Sequence, residues 1–232
     1  MIESVVLARL YQVVRFGVVA FGVAILGGPG AAGAQQFSAD IVVQRDAATT
    51  PAGRLRVLDG KIRIETPEFA DGFFLVDAAK PSAYFVRPGA RVYMDARQSS
   101  QLTRLLVPVD PDEPCRRWQA MAHLAGLADN GDWRCERAGE EMILGRRAAV
   151  FRAVSGTGSA FFGWIDRERR IPLRIKREDG TVIAVENIKD GPQSASSFEL
   201  PAGFRKFSPE ALIEQIKQSD VWVADQKDKP QR

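Results

Sequence analysis

The chain has 232 residues, of which 45% are hydrophobic, and this composition predicts one domain with a sizeable apolar core. Its 32 basic and 29 acidic residues leave a formal net charge of +3. Because the two signs are interspersed and form no basic stripe, we expect no nucleic-acid partner.

The first 34 residues have the pattern of a cleavable signal peptide. Arg9 and Arg15 supply its basic part, residues 16–26 form a short apolar run, and the small residues 32–34 form a cleavage site before Gln35. The run is shorter than the roughly 20 apolar residues of a membrane span. We therefore expect export to the periplasm, with an uncleaved membrane anchor as the alternative.

Two cysteines, Cys115 and Cys135, are present in the whole sequence. An oxidising compartment favours a disulfide between them, and a loop of this length would stabilise the fold by about 3 kcal/mol. A metal site with His123 as third ligand is the alternative, but a fourth ligand and a known spacing are missing. We therefore predict a disulfide and no metal, and we expect His123 on a helix surface or in the core.

Short segments with alternating apolar residues recur through the chain and are typical of strands. Asp59-Gly60 has the composition of a turn, and Asp179-Gly180 is typical of a two-residue hairpin loop. Residues 73–76 are apolar on both faces, which indicates a central strand or one covered on both sides. About eleven strands are predicted, at residues 37–43, 53–57, 61–65, 73–76, 84–86, 92–94, 141–144, 148–154, 159–165, 171–176 and 181–185.

So many antiparallel strands joined by short turns are expected to curl. We predict a mostly β (α+β) fold, with a strongly curved sheet or unclosed barrel and covering helices on its concave side. One helix is predicted over residues 114–128 from the spacing of Trp118 and Met121, and a second begins at Ser208-Pro209. We expect the domain to span residues 35–223, followed by a disordered tail over residues 224–232.

Several short motifs resemble those of the outer-membrane lipoprotein-sorting-protein-like superfamily. The motifs are FSAD at 37–40, GKIR at 60–63, Tyr84, Tyr93-Met94, WID at 164–166, IPLRI at 171–175, DG at 179–180, NIKDG at 187–191 and FELPAGF at 198–204. The resemblance implies an unclosed antiparallel barrel with helices in its mouth and a hydrophobic cavity between them.

The expected ligand is therefore hydrophobic: a lipid, or the acyl chain of a lipoprotein. An acyl chain in water costs about 0.8 kcal/mol per methylene, which an apolar groove would offset. The alternative is that the candidate residues are ordinary core. The groove candidates are Ile62, Ile64, Phe73, Leu75, Phe85, Val92 and Met94.

Two functions remain open at this point. The first is a periplasmic lipid-binding protein that acts in lipid or lipoprotein trafficking. The second is a periplasmic sensor, regulatory or structural envelope protein that binds a protein partner and no lipid. The turn at residues 167–170 is either simply solvated or a peripheral contact with anionic headgroups, since each basic residue near such a surface is worth about 1 kcal/mol.

Enzymatic activity is not expected. The chain has one histidine, no glycine-rich phosphate loop and no serine in a nucleophile elbow. Its carboxylates fall mostly at predicted turns or on the outer faces of strands, where solvation explains them. We therefore name no catalytic residue and no cofactor.

Overall fold

The computed structural model describes residues 35–96, 100–127 and 131–218. Side chains at 212 and 215–218 are outside this description. The predicted signal peptide and the predicted disordered tail over residues 224–232 also lie outside the described residues, and both stay predictions.

The described chain forms a single twelve-stranded sheet and three short helices. The strands are β1 Gln36–Arg45, β2 Ala48–Leu58, β3 Lys61–Glu65, β4 Phe73–Asp77, β5 Ser82–Arg87, β6 Val92–Asp95, β7 Arg134–Ile143, β8 Arg146–Val154, β9 Ala160–Asp166, β10 Ile171–Arg177, β11 Val182–Asp190 and β12 Arg205–Lys206. The helices are α1 Leu102–Leu105, α2 Pro114–Leu124 and α3 Pro209–Gln218.

Strand β1 joins two antiparallel meanders. The order across the sheet is β12-β6-β5-β4-β3-β2-β1-β11-β10-β9-β8-β7, so β1 pairs with both β2 and β11. Successive strands within each meander are joined by short turns and run antiparallel. Strand β1 also pairs antiparallel with the distant β11, and the short β12 runs parallel to its neighbour β6. The sheet ends at β7 and β12 and is not closed, which confirms the predicted mostly β, unclosed fold.

Local turn chemistry explains the tight connections. Asp59 and Gly60 have φ angles of 46° and 87°, the left-handed pair that a two-residue hairpin requires. The Asp179-Gly180 prediction was correct for a hairpin and wrong for its length. Gly180 N–H donates to the carbonyl of Arg177, and Gly180 takes φ 80°. Arg177 N–H donates to the carbonyl of Thr181, so the loop between this bonded pair has three residues, 178–180.

The core lies on one face of the sheet and is covered by α1 and α2. Alternate residues of β1 and β3 face it, and Trp118 and Met121 of α2 are almost completely buried there. The α2 helix ends at Leu124, earlier than the predicted end at residue 128, which lies outside the described residues. The predicted cover by this helix is confirmed.

Helix α3 begins at the predicted residue, but its described side chains are exposed and do not cover the core. Ser208 Oγ accepts a hydrogen bond from Ala211 N–H at 3.3 Å, as expected of an N-cap. Ile213, however, is 51% exposed. The cover of the core in the described part of the chain therefore comes from α1 and α2.

Strand β4 is buried on both faces, as its apolar sequence predicts. Phe74 and Val76 belong to the main core, whereas Phe73, Leu75 and Val86 form a second cluster on the opposite face. The chain around β12 packs over this second cluster through Leu200 and Phe204, with Tyr84 and Tyr93 beside it.

Candidate ligand-binding pocket

The seven groove candidates do not share one surface. Ile62, Ile64 and Phe85 are buried in the main core, and Met94 packs against it. Val92 is half-buried at the start of β6. Phe73 and Leu75 lie in the second cluster because they alternate with Phe74 and Val76 along β4. The structure therefore divides the set between the two faces of the sheet.

The core around these candidates is filled by aromatic side chains. The Phe74 and Phe85 rings lie 5.0 Å apart, and Phe69 lies 5.1 Å from Phe85 and 5.7 Å from Phe74. Such spacings are typical of packed aromatic pairs. Ile62 and Ile64 are themselves fully buried, so a ligand would reach them only if core side chains moved.

A pocket of about 490 Å³ lies beside α2 instead, and we call it the α2 pocket. Its volume falls within the range of roughly 300 to 1,000 Å³ that is usual for small-molecule sites. None of the seven groove candidates lines it. Its apolar lining consists of Leu105, Trp118, Ala122, Leu127, Trp133, Ala160 and Phe161.

Aromatic packing shapes the wall of the α2 pocket. Phe161 makes edge-on contacts with Trp118, at 4.9 Å between ring centroids, and with Trp133, at 6.1 Å. The Trp118 indole N–H donates to the carbonyl of Leu105 at 3.2 Å, so its polar atom is satisfied within the protein. The indole faces are therefore held in place to contact apolar groups.

Gly163 allows Trp118 to reach this position. A Cβ atom at residue 163 would lie 2.7 Å from Cη2 of Trp118, a distance that real Cβ contacts essentially never show. Strand β9 and helix α2 therefore approach closely at this point because residue 163 has no side chain.

The predicted disulfide is present and borders the pocket. Cys115 in the first turn of α2 is bonded to Cys135 near the start of β7, with 5.6 Å between their Cα atoms. Cys115 lies one helical turn before Trp118, and Cys135 lies two residues after Trp133. The bond therefore ties α2, which carries Trp118, to the start of β7, which directly follows Trp133.

The other end of the α2 pocket is polar. Gln101, Arg104, Ser155, Thr157, Ser159, Arg177, Glu178 and Asp179 line it. Arg177 pairs with Asp179 at 3.5 Å. Asp179 also accepts a hydrogen bond from Thr181 N–H at 3.0 Å, and this contact holds the pKa of Asp179 below its usual value.

Arg104 is the unusual member of this polar end. Its Nε is completely buried and has no hydrogen-bond partner. Burial lowers the pKa of the Arg104 guanidinium from its ordinary value, and the positive charge of Arg177 lowers it further. Neither Arg104 nor Trp133 stands in a recognisable sequence motif, so neither was predicted as a site residue.

The turn at residues 167–170 is solvated, as one of the two expectations has it, except at Arg169. Arg169 is only 7% exposed and bonds to Asp166 at 3.1 Å and to Asp190 at 2.6 Å. Its guanidinium also lies 5.6 Å from the centre of the Phe37 ring. Arg169 is therefore a buried structural residue, while Arg167 and Arg170 are exposed.

A second cleft of about 590 Å³ lies beside β3 and β4 and has charged residues in its lining, among them Arg63, Glu65 and Asp71. Phe73 lines this cleft, with the Arg63 guanidinium 3.5 Å from the centre of its ring. Phe73 is thus covered by a cation, which leaves the α2 pocket as the stronger candidate for an apolar ligand.

The described residues also bear on the metal and membrane alternatives. These residues contain no group of three or more His, Cys, Asp and Glu side chains that could hold a metal ion. His123 lies on the exposed surface of α2. No helix within the described ranges is long and apolar enough to cross a membrane.

No protein-family model matches the chain, and no curated protein matches it. Solved structures do align with it. PNGF-II matches over 80% of this chain and 34% of its own, at 8% identity and a TM-score of 0.47. The chain thus spans about a third of the length of PNGF-II.

Two other aligned structures are bacterial proteins. The Pseudomonas aeruginosa MucA/MucB complex matches over 72% of this chain and 56% of its own, at 14% identity and a TM-score of 0.33. An outer membrane lipoprotein-sorting protein domain from Vibrio parahaemolyticus matches over 71% and 88%, at 9% identity and a TM-score of 0.31. The aligned structures therefore include the kind of protein that the sequence motifs resemble.

Proposed function

We propose that this protein binds a hydrophobic ligand, a lipid or the acyl chain of a lipoprotein, in the α2 pocket. The observation that carries the proposal is a preformed 490 Å³ pocket with two indoles and a phenyl ring in its wall. Each methylene that moves from water into this lining gains about 0.8 kcal/mol. On this proposal the protein carries lipid or acylated cargo in the cell envelope.

The proposal includes export to the periplasm. The Cys115–Cys135 disulfide supports it, because such bonds form and persist mainly outside the cytoplasm. Fractionation of cells that produce the tagged chain should place it in the periplasm, and N-terminal sequencing should begin at Gln35. A cytoplasmic protein that retains residues 1–34 would contradict this part of the proposal.

Binding is tested with a fluorescent acyl probe and with mass spectrometry of lipids extracted from the purified protein. We expect bound lipid and saturable probe binding. An Ala160→Trp substitution places a large side chain in the pocket lining and should abolish probe binding. Ala138→Trp on exposed strand β7, outside the pocket, is the matched control and should bind normally. No lipid and no probe binding in the unsubstituted protein would reject the proposal.

A protein partner is the second candidate, and one feature favours it. Strand β7 is the last strand of the sheet, and at its end the side chains of Met142 and Leu144 are 66% and 56% exposed. An exposed strand edge can pair with an extended segment of another protein. On this candidate the partner adds a strand beside β7.

Photo-cross-linking in intact cells tests the partner candidate. A photoreactive residue at position 142 should yield one discrete adduct, whereas the same residue at exposed Lys80 should yield none. The candidate fails if no adduct forms at 142 or if both positions give the same adducts.

A further inference from the structure

Arg104 presents a positive charge to the α2 pocket without a described counter-ion. It lines the pocket, and its Nε is buried without a hydrogen-bond partner in the described ranges. An arginine stays charged in proteins, and burial has removed water from its Nε without supplying a partner there. An anion that binds beside the guanidinium of Arg104 would supply the missing partner and lower the free energy of the folded protein.

The acidic residues at the pocket do not meet this need. Asp179 is already bound to Arg177 and to the backbone of Thr181, and both Glu178 and Asp179 lie in the exposed turn between β10 and β11. The positive charge of Arg177, by contrast, acts on Arg104 and adds to the attraction for an anion. Neither of these two carboxylates thus serves as the counter-ion of Arg104.

The apolar and cationic parts belong to the same pocket. The apolar wall is formed by Trp118, Trp133 and Phe161, while Arg104 and Arg177 line the polar end with the hydroxyls of Ser159 and Thr157. A neutral lipid would satisfy the apolar wall and leave the guanidinium unpaired. A ligand with an apolar chain and one anionic end satisfies both.

We propose that the α2 pocket selects anionic amphiphiles, with a carboxylate or phosphate head bound by Arg104 and assisted by Arg177, and with the chain against Trp118 and Phe161. The proposal rests on the proposed ligand-binding function and goes beyond it, because it assigns the chemical class of the ligand and the residue that binds its anionic head. Guanidinium groups bind carboxylates and phosphates through charge-assisted hydrogen bonds, which are stronger than neutral ones.

The test compares ligands that share a chain and differ in the head. Dodecanoate, dodecyl phosphate and dodecanol are titrated into the purified protein, with inorganic phosphate as the chain-free ligand, and binding is followed by calorimetry. We expect both anionic amphiphiles to bind roughly 10- to 100-fold more tightly than dodecanol, since hydrogen bonds to charged groups are worth that factor. Inorganic phosphate should bind weakly or not at all.

Substitution of Arg104 separates charge recognition from structure. Arg104→Met should weaken dodecanoate binding about tenfold or more and leave dodecanol binding unchanged, and Arg104→Lys should restore part of the loss. Arg152→Met, an exposed position on β8 outside the pocket, is the matched control and should change neither affinity. Circular dichroism confirms that each variant is folded.

The outcomes are distinguishable. If dodecanoate and dodecanol bind the unsubstituted protein equally, the head-group inference is wrong and the hydrophobic-ligand proposal stands. If Arg104→Met weakens both ligands alike, Arg104 is structural and the inference is also wrong. If neither ligand binds, both proposals fail. Tight binding of inorganic phosphate alone would show an anion site that does not select amphiphiles, which would overturn the inference. These ligand comparisons with the unsubstituted protein decide the matter even if a variant does not fold.

Discussion

Single residues set the shape of the α2 pocket, and Gly163 is the clearest case. We expect Gly163→Ala to lower the free energy of unfolding by about 1–3 kcal/mol, because the new methyl group would overlap the Trp118 ring and force it to move. Urea denaturation followed by circular dichroism measures the effect. Gly89→Ala is the control, since its Cβ would meet no atom within 4 Å, and it should change stability by less than about 0.5 kcal/mol. Equal stability of the two variants would contradict the close packing.

The buried pair of Asp166 and Arg169 is a second residue-scale feature. Asp166 is 1% exposed, and Asp166→Ala would leave Arg169 with one of its two carboxylate partners, so we expect a loss of about 3 kcal/mol in stability. Glu168→Ala is the comparison, because that side chain is 82% exposed and its ion pair with Arg146 should be worth less than about 1 kcal/mol. Denaturation midpoints of the two variants check the contrast, and similar losses would count against it.

At the scale of elements, the disulfide joins helix α2 to strand β7 across the pocket wall. Replacing both Cys115 and Cys135 with serine should lower the free energy of unfolding by about 3 kcal/mol, because the unfolded chain regains the freedom of a loop of about 20 residues. The thermal midpoint measures this loss. We also expect weaker probe binding, since Trp118 and Trp133 are no longer held together.

A thiol assay provides the control for that experiment. The unsubstituted protein, unfolded without reductant, should not react with a thiol reagent, and it should react after reduction. A protein that reacts without reduction would show that the bond does not form. A double variant with unchanged stability would show that the bond is dispensable.

The strands differ in how well the pattern of apolar residues predicts them. The alternation of apolar and polar residues predicted β1, β3 and β10, where one face is buried. It predicted only the last residues of β7 and none of β12. The first part of β7 is exposed on both sides, so no face needs apolar residues there, and β12 has only two residues. A strand that buries neither face leaves no periodic pattern.

At the scale of the whole molecule, ligand binding should be linked to stability. A ligand that binds only the folded state stabilises it by about 2.7 kcal/mol at a hundred times its dissociation constant. We therefore expect dodecanoate to raise the thermal midpoint by roughly 5 to 10 °C, given about 2–4 °C per kcal/mol for a chain of this size. Differential scanning calorimetry checks this.

Tryptophan fluorescence gives an independent reading of the same event. Two of the four tryptophans, Trp118 and Trp133, line the pocket, so their emission should change when the pocket fills. In the Ala160→Trp variant the ligand should produce no thermal shift. A shift of the same size in that variant would place the ligand elsewhere.

The amino-acid sequence by itself determined the strand-rich fold, the turns and the disulfide pair. These features depend on residues close along the chain: alternating apolar side chains, Asp-Gly pairs that accept a left-handed backbone, and two cysteines with no other candidate partner. The hairpin loop at Asp179-Gly180 was predicted one residue too short for a related reason: the positive φ of Gly180 suits loops of two or three residues equally well.

Only the tertiary structure decided where the empty space lies. The sequence could identify Ile62, Phe73 and Phe85 as apolar, but whether apolar side chains fill a core or leave a pocket depends on how distant elements approach one another. Gly163 beneath Trp118, and Arg104 beside a turn more than seventy residues away, are neighbours only after the sheet has folded. Packing between such elements has no local signature, because their contacts join residues that are far apart in the chain.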